Sequence, residues 1–400
     1  MQKQTITDLD LAGKRVLIRV DFNVPIKDGL ISDDTRLRAS LGTIQYALAQ
    51  GATVVLASHL GRPNGTRSDT LSLKPVADRL EKLLNHPVFF SPETTGTAAI
   101  EAVLEAGSGG IVLLENLRFH SGEEKNDSEF ARELSLLADI FINDAFGVAH
   151  RAHASTEGIV KHLKQSAAGL LMTAELNYLG DALWNPKRPF AAVLGGAKIS
   201  GKLEVIQNLL TQVDAVFIGG AMAYTFLKGR NIPIGHSLVE DELVDIAVGL
   251  MKDAETKNVR FELPIDHVVS ERFDTAVAMD TLAVGDVNIG QRLGVDIGPR
   301  TVSHYAQSLR DAGTIIWNGP MGVFETPAFS TGTRALARAV ADVSGVTIVG
   351  GGDSISAVRQ AGVLDQITHV STGGGAVLEF LAGKTLPGLA ALPDRITSDF

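Results

Sequence analysis

The run Ala191-Ala192-Val193-Leu194-Gly195-Gly196-Ala197-Lys198-Ile199-Ser200-Gly201-Lys202-Leu203 decides how this chain is read. An apolar run, a glycine pair and a basic, helix-compatible segment describe a strand that turns tightly into a helix. The pattern recurs: Ala215 to Ile218 runs into Gly219-Gly220, Thr347 to Val349 into Gly350-Gly351-Gly352, and Thr368 to Val370 is followed by Gly373-Gly374-Gly375. Glycine after a strand lets the backbone turn and approach a ligand, while the following helix offers N–H groups and a positive dipole end to an anion. One such pair is explained by a tight turn alone. Repetition through one half of the chain favours a ligand site, since ligands of open α/β sheets sit beyond the carboxyl ends of the strands.

Gly196 to Leu203 approaches a Walker loop, but Leu203 stands where Ser or Thr would hold magnesium, so that reading is excluded. What remains is Lys198 and Lys202, four apart and placed to face phosphate oxygens. Glu325, after Trp317-Asn318-Gly319-Pro320-Met321-Gly322-Val323-Phe324, and Asp353, after the third glycine cluster, are carboxylates that a magnesium nucleotide could use. Either alone could be a helix cap.

Outward from this region, short apolar runs alternate with segments of helical period. Arg15 to Val20 precedes Thr35 to Gln50, whose Leu37, Leu41, Ile44 and Leu48 share a face. Thr53 to Ala57, a helix over Leu73 to Leu84, Val88 to Phe90, a helix near Ala98, Ile111 to Leu114, a helix bearing Phe130, Leu134 and Leu137, and Ile140 to Ile142 follow. This alternation predicts a parallel α/β sheet. It lapses over Ala167 to Leu183, a helix-favouring stretch ended by Asn185, Pro186 and Pro189, and the lobe boundary is placed there. It resumes from Ala191 and includes Thr314 to Trp317 as a further strand. Glu271 to Pro299, with Thr275, Val277 and Met279 alternating, reads as a small antiparallel excursion.

A chain of 400 residues exceeds one ordinary domain at about 150 residues each, which suggests two or three. Hydrophobic residues at 45% and a mean hydropathy of +0.15 allow sizeable cores and argue against disorder. Met1 to Lys14 has no apolar h-region, and no later run approaches the roughly 20 residues of a membrane span. With no cysteine, disulfides, thiolate nucleophiles and cysteine-ligated metals are excluded, and a cytoplasmic setting is expected. The net charge of −10 argues against general binding to nucleic acid or anionic lipid, so any anion site must be a local basic cluster.

The first half supplies such clusters at strand ends: Asp21-Phe22-Asn23, Ser58-His59-Leu60-Gly61-Arg62, and Glu115-Asn116-Leu117-Arg118. Arg36 and Arg38 stand at a helix start, and His150-Arg151-Ala152-His153 beyond another strand. The planar fork of arginine suits phosphate and carboxylate, although a single arginine is more often a surface ion-pair partner. Repeated placement beyond strands favours a shared anion pocket. A zinc reading of His150 and His153 lacks a third ligand. A nicotinamide dehydrogenase is disfavoured because no strand-linked Gly-x-Gly-x-x-Gly with a later acidic residue is present.

Along nearly its whole length the sequence resembles the phosphoglycerate kinase family. The segments that carry the resemblance are Arg19 to Pro25, Ser58 to Pro63, Leu114 to Phe119, Gly122 to Asp127, Asn143 to Gly147, Ala149 to Thr156, Leu194 to Lys198, Trp317 to Glu325, Gly350 to Asp353 and Ser371 to Gly375. The resemblance implies two doubly wound, Rossmann-like parallel-sheet domains facing across a cleft. A 3-phosphoglycerate domain over 1–170 would be joined through a connecting helix and hinge, 171–188, to a nucleotide domain over 189–384, with 385–400 packing back on the first domain. Asp21, Phe22, Asn23, Arg36, His59, Leu60, Gly61, Arg62, Arg118 and Arg151 would hold the glycerate and its phosphate. Gly196, Lys202, Gly219, Gly220, Asn318, Pro320, Val323, Glu325, Gly351, Gly352, Asp353 and Ser354 would hold Mg2+-ATP or ADP, with Asp353 as the magnesium partner. Arg36, Lys198, Lys202 and the amides near Gly374 would surround the transferring group. The chain departs from the family pattern at Ser354, where threonine is commoner, and at Gly201, where aspartate is often seen. Cytoplasmic, monomeric kinases with small-molecule substrates and no nucleic-acid or membrane partner are implied. The implied acceptor is a carboxylate already ionised near neutrality, so no general base is required. Closure of the lobes would bring the ligands together and exclude water. A sensor that binds both ligands without turnover is the competing reading.

Overall fold

The structure is a computed structural model that describes residues 2–27, 29–273 and 279–395. The chain divides into two compact units, Met1–Asn177 with Thr385–Phe400, and Tyr178–Lys384. The division falls inside the helix Leu170–Trp184.

In the first unit, strands β1 (Arg15–Arg19), β4 (Thr53–Ala57), β5 (Phe89–Phe90), β6 (Ile111–Leu113), β7 (Ile140–Asn143) and β8 (Ser166–Ala168) form one sheet, after β2 (Ile26–Lys27) and β3 (Leu30–Ile31) pair as a separate hairpin. The sheet order is β5-β6-β4-β1-β7-β8, parallel throughout. Strand β4 is buried at every position, as expected for a parallel sheet covered on both faces. The helix Thr35–Ala49 turns Leu37 and Ile44 into the core and packs Leu41 and Leu48 against it. The helix carrying Phe130 and Leu134 ends at Ser135, so Leu137 is buried from beyond the helix rather than on it. Its start is fixed by Asp127, which accepts the Phe130 N–H at 2.9 Å.

Strand β8 begins one residue before the stretch read as a lapse and runs into it. Ser166, Ala167 and Ala168 are small and unbranched, so propensity gives no strand signal, yet β7 supplies the ladder that sets them extended. Asp144, just past β7, accepts the N–H groups of Leu171 and Met172 at 2.9 and 3.1 Å and so anchors the start of the Leu170–Trp184 helix. A Cβ on Gly169 would lie 2.1 Å from the Asp144 carboxylate, which accounts for glycine there.

The last described residues lie on the first unit. Lys3 Nζ donates to the Leu392 carbonyl at 2.8 Å and Arg395 N–H to the Gln2 carbonyl at 2.8 Å. Asn143 Nδ2 donates to the Gly388 carbonyl at 3.1 Å. Of the 385–400 segment, residues 396–400 lie outside the described residues.

The second unit is built on β9 (Phe190–Leu194), β10 (Ala215–Ile218), β11 (Arg260–Glu262), β15 (Thr314–Asn318), β16 (Val346–Gly350) and β17 (His369–Ser371). Their order, β11-β10-β9-β15-β16-β17, is parallel and reverses direction between β9 and β15. That reversal is a switch point of a doubly wound sheet, where a crevice opens beyond the strand ends. Trp317 is buried there and donates its indole N–H to the Gly319 carbonyl at 2.7 Å. The excursion read over Glu271 to Pro299 is a three-stranded antiparallel sheet that begins earlier than expected, with β12 (Asp266–Ser270) between β13 (Met279–Ala283) and β14 (Leu293–Ile297). Thr275 and Val277 lie outside the described residues. Among the described residues no helix is long and apolar enough to cross a membrane.

Candidate active site

Each sheet delivers one group of candidate residues, because parallel strands release all their carboxyl-terminal loops along one edge. In the first unit, β1 leads to Asp21, Phe22 and Asn23, β4 to His59, Leu60, Gly61 and Arg62, and β6 to Arg118. Arg36 NH1 donates to Asp21 Oδ2 at 2.8 Å and to the Asn23 carbonyl at 3.3 Å. Asn23 Oδ1 accepts the Gly61 N–H at 2.9 Å, and Arg118 NH1 donates to the Gly61 carbonyl at 2.7 Å. Gly61, at φ +62°, thus ties three site residues together, and a Cβ there would meet Leu71 at 2.7 Å. Phe22 and Leu60 are buried, so their part in the site is made by backbone. Arg62 is exposed and Arg151 half-buried.

His59 lies at the centre of this charge. Burial, then the guanidiniums of Arg19, Arg118, Arg36 and Arg151, hold its imidazole well below the ordinary histidine range, so the ring is neutral. Arg19 NH2 stands 3.3 Å from His59 Nδ1 and can only donate, which leaves the ring proton on Nε2. Arg38 does not join the cluster: it is exposed and pairs with Asp34 at 2.8 Å. Glu115 and Asn116 are scaffold, since Glu115 accepts the Leu73 N–H at 2.9 Å while Asn116 accepts from Leu60 and donates back to its carbonyl at 2.7 Å. His150 accepts from Arg151 Nε at 3.2 Å, and burial leads the shift that lowers His153 to about 3, so the His153 ring is neutral near pH 7. Among the described residues no three metal-ligating side chains converge.

Sequence reading missed the support beneath the cluster. Arg19 is wholly buried, donates Nε to Ser155 Oγ at 2.8 Å and bonds the Val20 carbonyl. Ser155 in turn donates its N–H and hydroxyl to Glu123 at 3.0 and 2.6 Å. A lone arginine inside an apolar strand gives no hint that Ser155 and Glu123, more than a hundred residues away, lie around it.

In the second unit the glycine clusters divide into two kinds. The N–H of Gly196 donates to the Pro320 carbonyl at 2.8 Å and that of Gly220 to the Met321 carbonyl at 2.9 Å. A Cβ on Gly220 would lie 2.5 Å from Gly196 N, and one on Gly219 2.3 Å from Met321 Sδ. These glycines let loops touch backbone to backbone, and the amides of Gly196 and Gly220 are spent on that packing. Gly351 at φ +92° and Gly374 at φ +52° instead lead straight into the helices Gly352–Gln360 and Gly375–Leu381, and a Cβ on Gly352 or Gly374 would meet nothing within 4 Å. Their turns are open.

Lys202 bonds Asn318 Oδ1, and Asn318 Nδ2 donates to the Gly350 carbonyl at 2.9 Å, so one amide side chain links lysine to open turn. Burial lowers the Lys202 ammonium to about 8, against an attraction to Asp353 that raises it. Lys198 is exposed; near it, Glu240 is held below the ordinary carboxylate range against the opposing effect of burial, by hydrogen bonds from Ser200 and the Ile199 backbone and, last, by the Lys198 charge. Ser354 is buried and accepts the Gly319 N–H at 2.6 Å, so it fixes the turn. Of the expected nucleotide residues, Gly196, Gly220, Pro320, Val323, Glu325 and Asp353 line one cavity of about 300 Å³, whose other walls are mainly apolar. Three polar residues in that wall, Tyr224, His267 and Asp296, were not foreseen.

Two parallel α/β units, one ending in gathered arginines and the other in open amide turns beside a lysine, define a two-domain enzyme built to handle phosphorylated anions. The family profile described as phosphoglycerate kinase matches residues 6–384. A phosphoglycerate kinase of Acidobacterium capsulatum is 55% identical over 404 residues, spanning 99% of this chain and 100% of that protein. One of Moorella thermoacetica is 53% identical, spanning 99% and 100%. The solved phosphoglycerate kinase of Coxiella burnetii superimposes with a TM-score of 0.88 at 42% identity, covering 97% of this chain and 98% of that one. The chain belongs to the phosphoglycerate kinase family.

Lys202 supplies a direct electrostatic test. In the ligand-free protein its ammonium is expected to titrate near pH 8, more than two units below an ordinary lysine at about 10.4. Between those values the unfolded chain binds the extra proton, so this group makes stability rise with pH there, and its burial cost is complete below pH 8. Asp353→Asn, which removes the attraction, should lower the titration further. NMR of the lysine ε-methylene would read both, and a normal titration near 10 in the native protein would contradict the desolvated position.

Proposed function

We propose that this chain catalyses reversible phosphoryl transfer between 1,3-bisphosphoglycerate and ADP, giving 3-phosphoglycerate and ATP. The observation that carries the reading is the pairing, in one chain, of the arginine-surrounded His59 group with the Lys202–Asn318–Gly350 link at the open glycine turns. In this reading Asp21, Asn23, Arg36, His59, Arg62, Arg118 and Arg151 bind 3-phosphoglycerate, with Phe22, Leu60 and Gly61 shaping the loop. His59 is a neutral hydrogen-bond donor, and the arginines carry the charge.

The nucleotide lies along the cavity with its phosphates at Lys202 and the Gly351–Ser354 turn. Asp353 is an exposed carboxylate in the first turn of its helix, and among the described residues it belongs to no cluster of three or more metal-ligating side chains. One or two carboxylates fit Mg2+, which keeps waters and takes its remaining ligands from substrate phosphates. When bound, Mg2+ neutralises charge on those phosphates. Family membership supports a cytoplasmic monomer acting on small molecules.

The acceptor is the carboxylate of 3-phosphoglycerate, which is ionised without help. Its oxygen forms a bond to the γ-phosphorus as the bond to the β–γ bridging oxygen breaks, and no proton has to move. Arg36, Lys198, Lys202 and the amides beside Gly374 surround the transferring group and stabilise charge spread over its oxygens. Since the two binding groups belong to different units, transfer needs the units to close, with bending at the connecting segment. Small-angle scattering should register compaction when both ligands are bound, and an unchanged radius would remove closure from the mechanism.

Steady-state kinetics separates the roles. Lys202→Ala should lower kcat by on the order of a hundredfold, equivalent to roughly 3 kcal/mol of transition-state stabilisation. Arg62→Ala should chiefly raise KM for 3-phosphoglycerate. Unchanged turnover in Lys202→Ala would take that lysine out of the phosphoryl path.

A further inference from the structure

The segment that carries Lys198 is pinned at both ends. At one end the Gly196 N–H donates to the Pro320 carbonyl at 2.8 Å, and the Gly196 carbonyl accepts the Met222 N–H at 3.0 Å. At the other end Ser200 donates its N–H to Glu240 Oε2 at 3.0 Å and its hydroxyl to Glu240 Oε1 at 2.6 Å, so both carboxylate oxygens close on one residue. Hydrogen bonds to an ionised acceptor are the strong ones. Lys198 stands midway between the two pins and is exposed.

Glu240 is itself held by the neighbouring fold. Its N–H donates to Thr225 Oγ1 at 3.2 Å, and Thr225 is buried on the helix Met222–Gly229, whose first residue also bonds Gly196. Both pins therefore hang on one helix. Lys202 has a hold of its own, since it bonds Asn318 Oδ1 and its N–H donates to the Ile199 carbonyl at 2.8 Å. The ammonium of Lys198 is placed through its backbone, and the residue after Ser200 makes that backbone easy to release. Gly201 is exposed, and a Cβ there would meet nothing within 4 Å. A glycine that packing does not demand leaves the chain its widest range of conformations, so the grip on Ser200 is what limits the segment on that side.

We propose that Glu240 is a positioning residue for phosphoryl transfer: by gripping Ser200 it fixes the backbone that presents Lys198 to the transferring group. The proposal rests on the role given to Lys198 above. Glu240 touches no reacting atom and acts on the lysine through the chain between Lys198 and Ser200. A cation that serves charge developing in the transition state must stand in place before the reaction, and a misplacement of about 1 Å can cost roughly a hundredfold in rate. Loss of the grip should therefore appear in turnover rather than in substrate binding.

The test is steady-state kinetics on Glu240→Ala, Glu240→Gln and Ser200→Ala, each checked for native folding by circular dichroism. Glu240→Ala should lower kcat about tenfold and leave KM for 3-phosphoglycerate unchanged. Glutamine can keep both contacts, its carbonyl accepting the Ser200 N–H and its NH2 donating to the Ser200 hydroxyl oxygen, so Glu240→Gln should retain nearly native kcat. Ser200→Ala, at an exposed site, loses one bond of the two and should lower kcat about threefold. Native kcat in Glu240→Ala overturns the proposal, as does native kcat in Ser200→Ala should Glu240→Ala fail to fold. A loss in Glu240→Gln as large as in Glu240→Ala also overturns it, since charge rather than grip would then be at work. The Lys198→Ala background tells positioning from a general structural role: there Glu240→Ala should cost less than about twofold, and a further loss of about tenfold overturns the proposal. Lys198→Ala alone separates this inference from the reading beneath it. If that variant loses turnover while Glu240→Ala does not, only the role of Glu240 falls, whereas native kcat in Lys198→Ala removes the role of the lysine and the proposal with it.

Discussion

Arg19 lies wholly inside the first unit, and a guanidinium in that position is tolerated because Ser155, the Val20 carbonyl and the charge of Glu123 surround it. Removing one partner would leave an uncompensated buried charge, which is far more destabilising than never having had the pair. The rest of that site depends on this arrangement: Arg19 orients His59, and burial, then the arginines around it, keep His59 neutral. In the second unit Lys202 is also drawn out of water, but Asn318 accepts its bond and only the more distant Asp353 attracts it electrostatically. Its charge is therefore poorly compensated, which suits the proposed contact with a phosphoryl oxygen.

The two sites use one scaffold differently. Both are carboxyl-terminal edges of parallel sheets, yet the first gathers side-chain cations and the second gathers backbone turns. On the proposed reading this division matches the ligands: a small acid bearing a carboxylate and a phosphate calls for forked donors on several sides, while a chain of phosphates can lie along amides at helix starts. Neither edge needs a proton-transferring residue when the acceptor is already ionised, so catalysis reduces to positioning and to charge fixed in place before the reaction.

Much of this was legible in the sequence because its physical causes are local. An apolar run ending in glycine reveals both a strand and its turn, and four such runs placed most of the second sheet. Strands β8 and β11 were not visible, since Ser166 to Ala168 and Arg260 to Glu262 become strands only through their neighbours' ladders. The double use of the glycines was hidden for a similar reason: whether an amide faces a ligand or the Pro320 carbonyl depends on a loop more than a hundred residues later. Arg19 with Glu123, and Tyr224 with His267, are long-range pairs that no spacing announces. Arg38 gives the converse case, an arginine well placed by sequence that local pairing with Asp34 turns aside.

The most direct test of the central claim is the rate of ADP formation from ATP, 3-phosphoglycerate and Mg2+, with 1,3-bisphosphoglycerate consumed by a coupled dehydrogenase and each component omitted in turn. Turnover that requires all three is the expected result. No turnover while both ligands bind by calorimetry would contradict it and mark the chain as a sensor of those ligands.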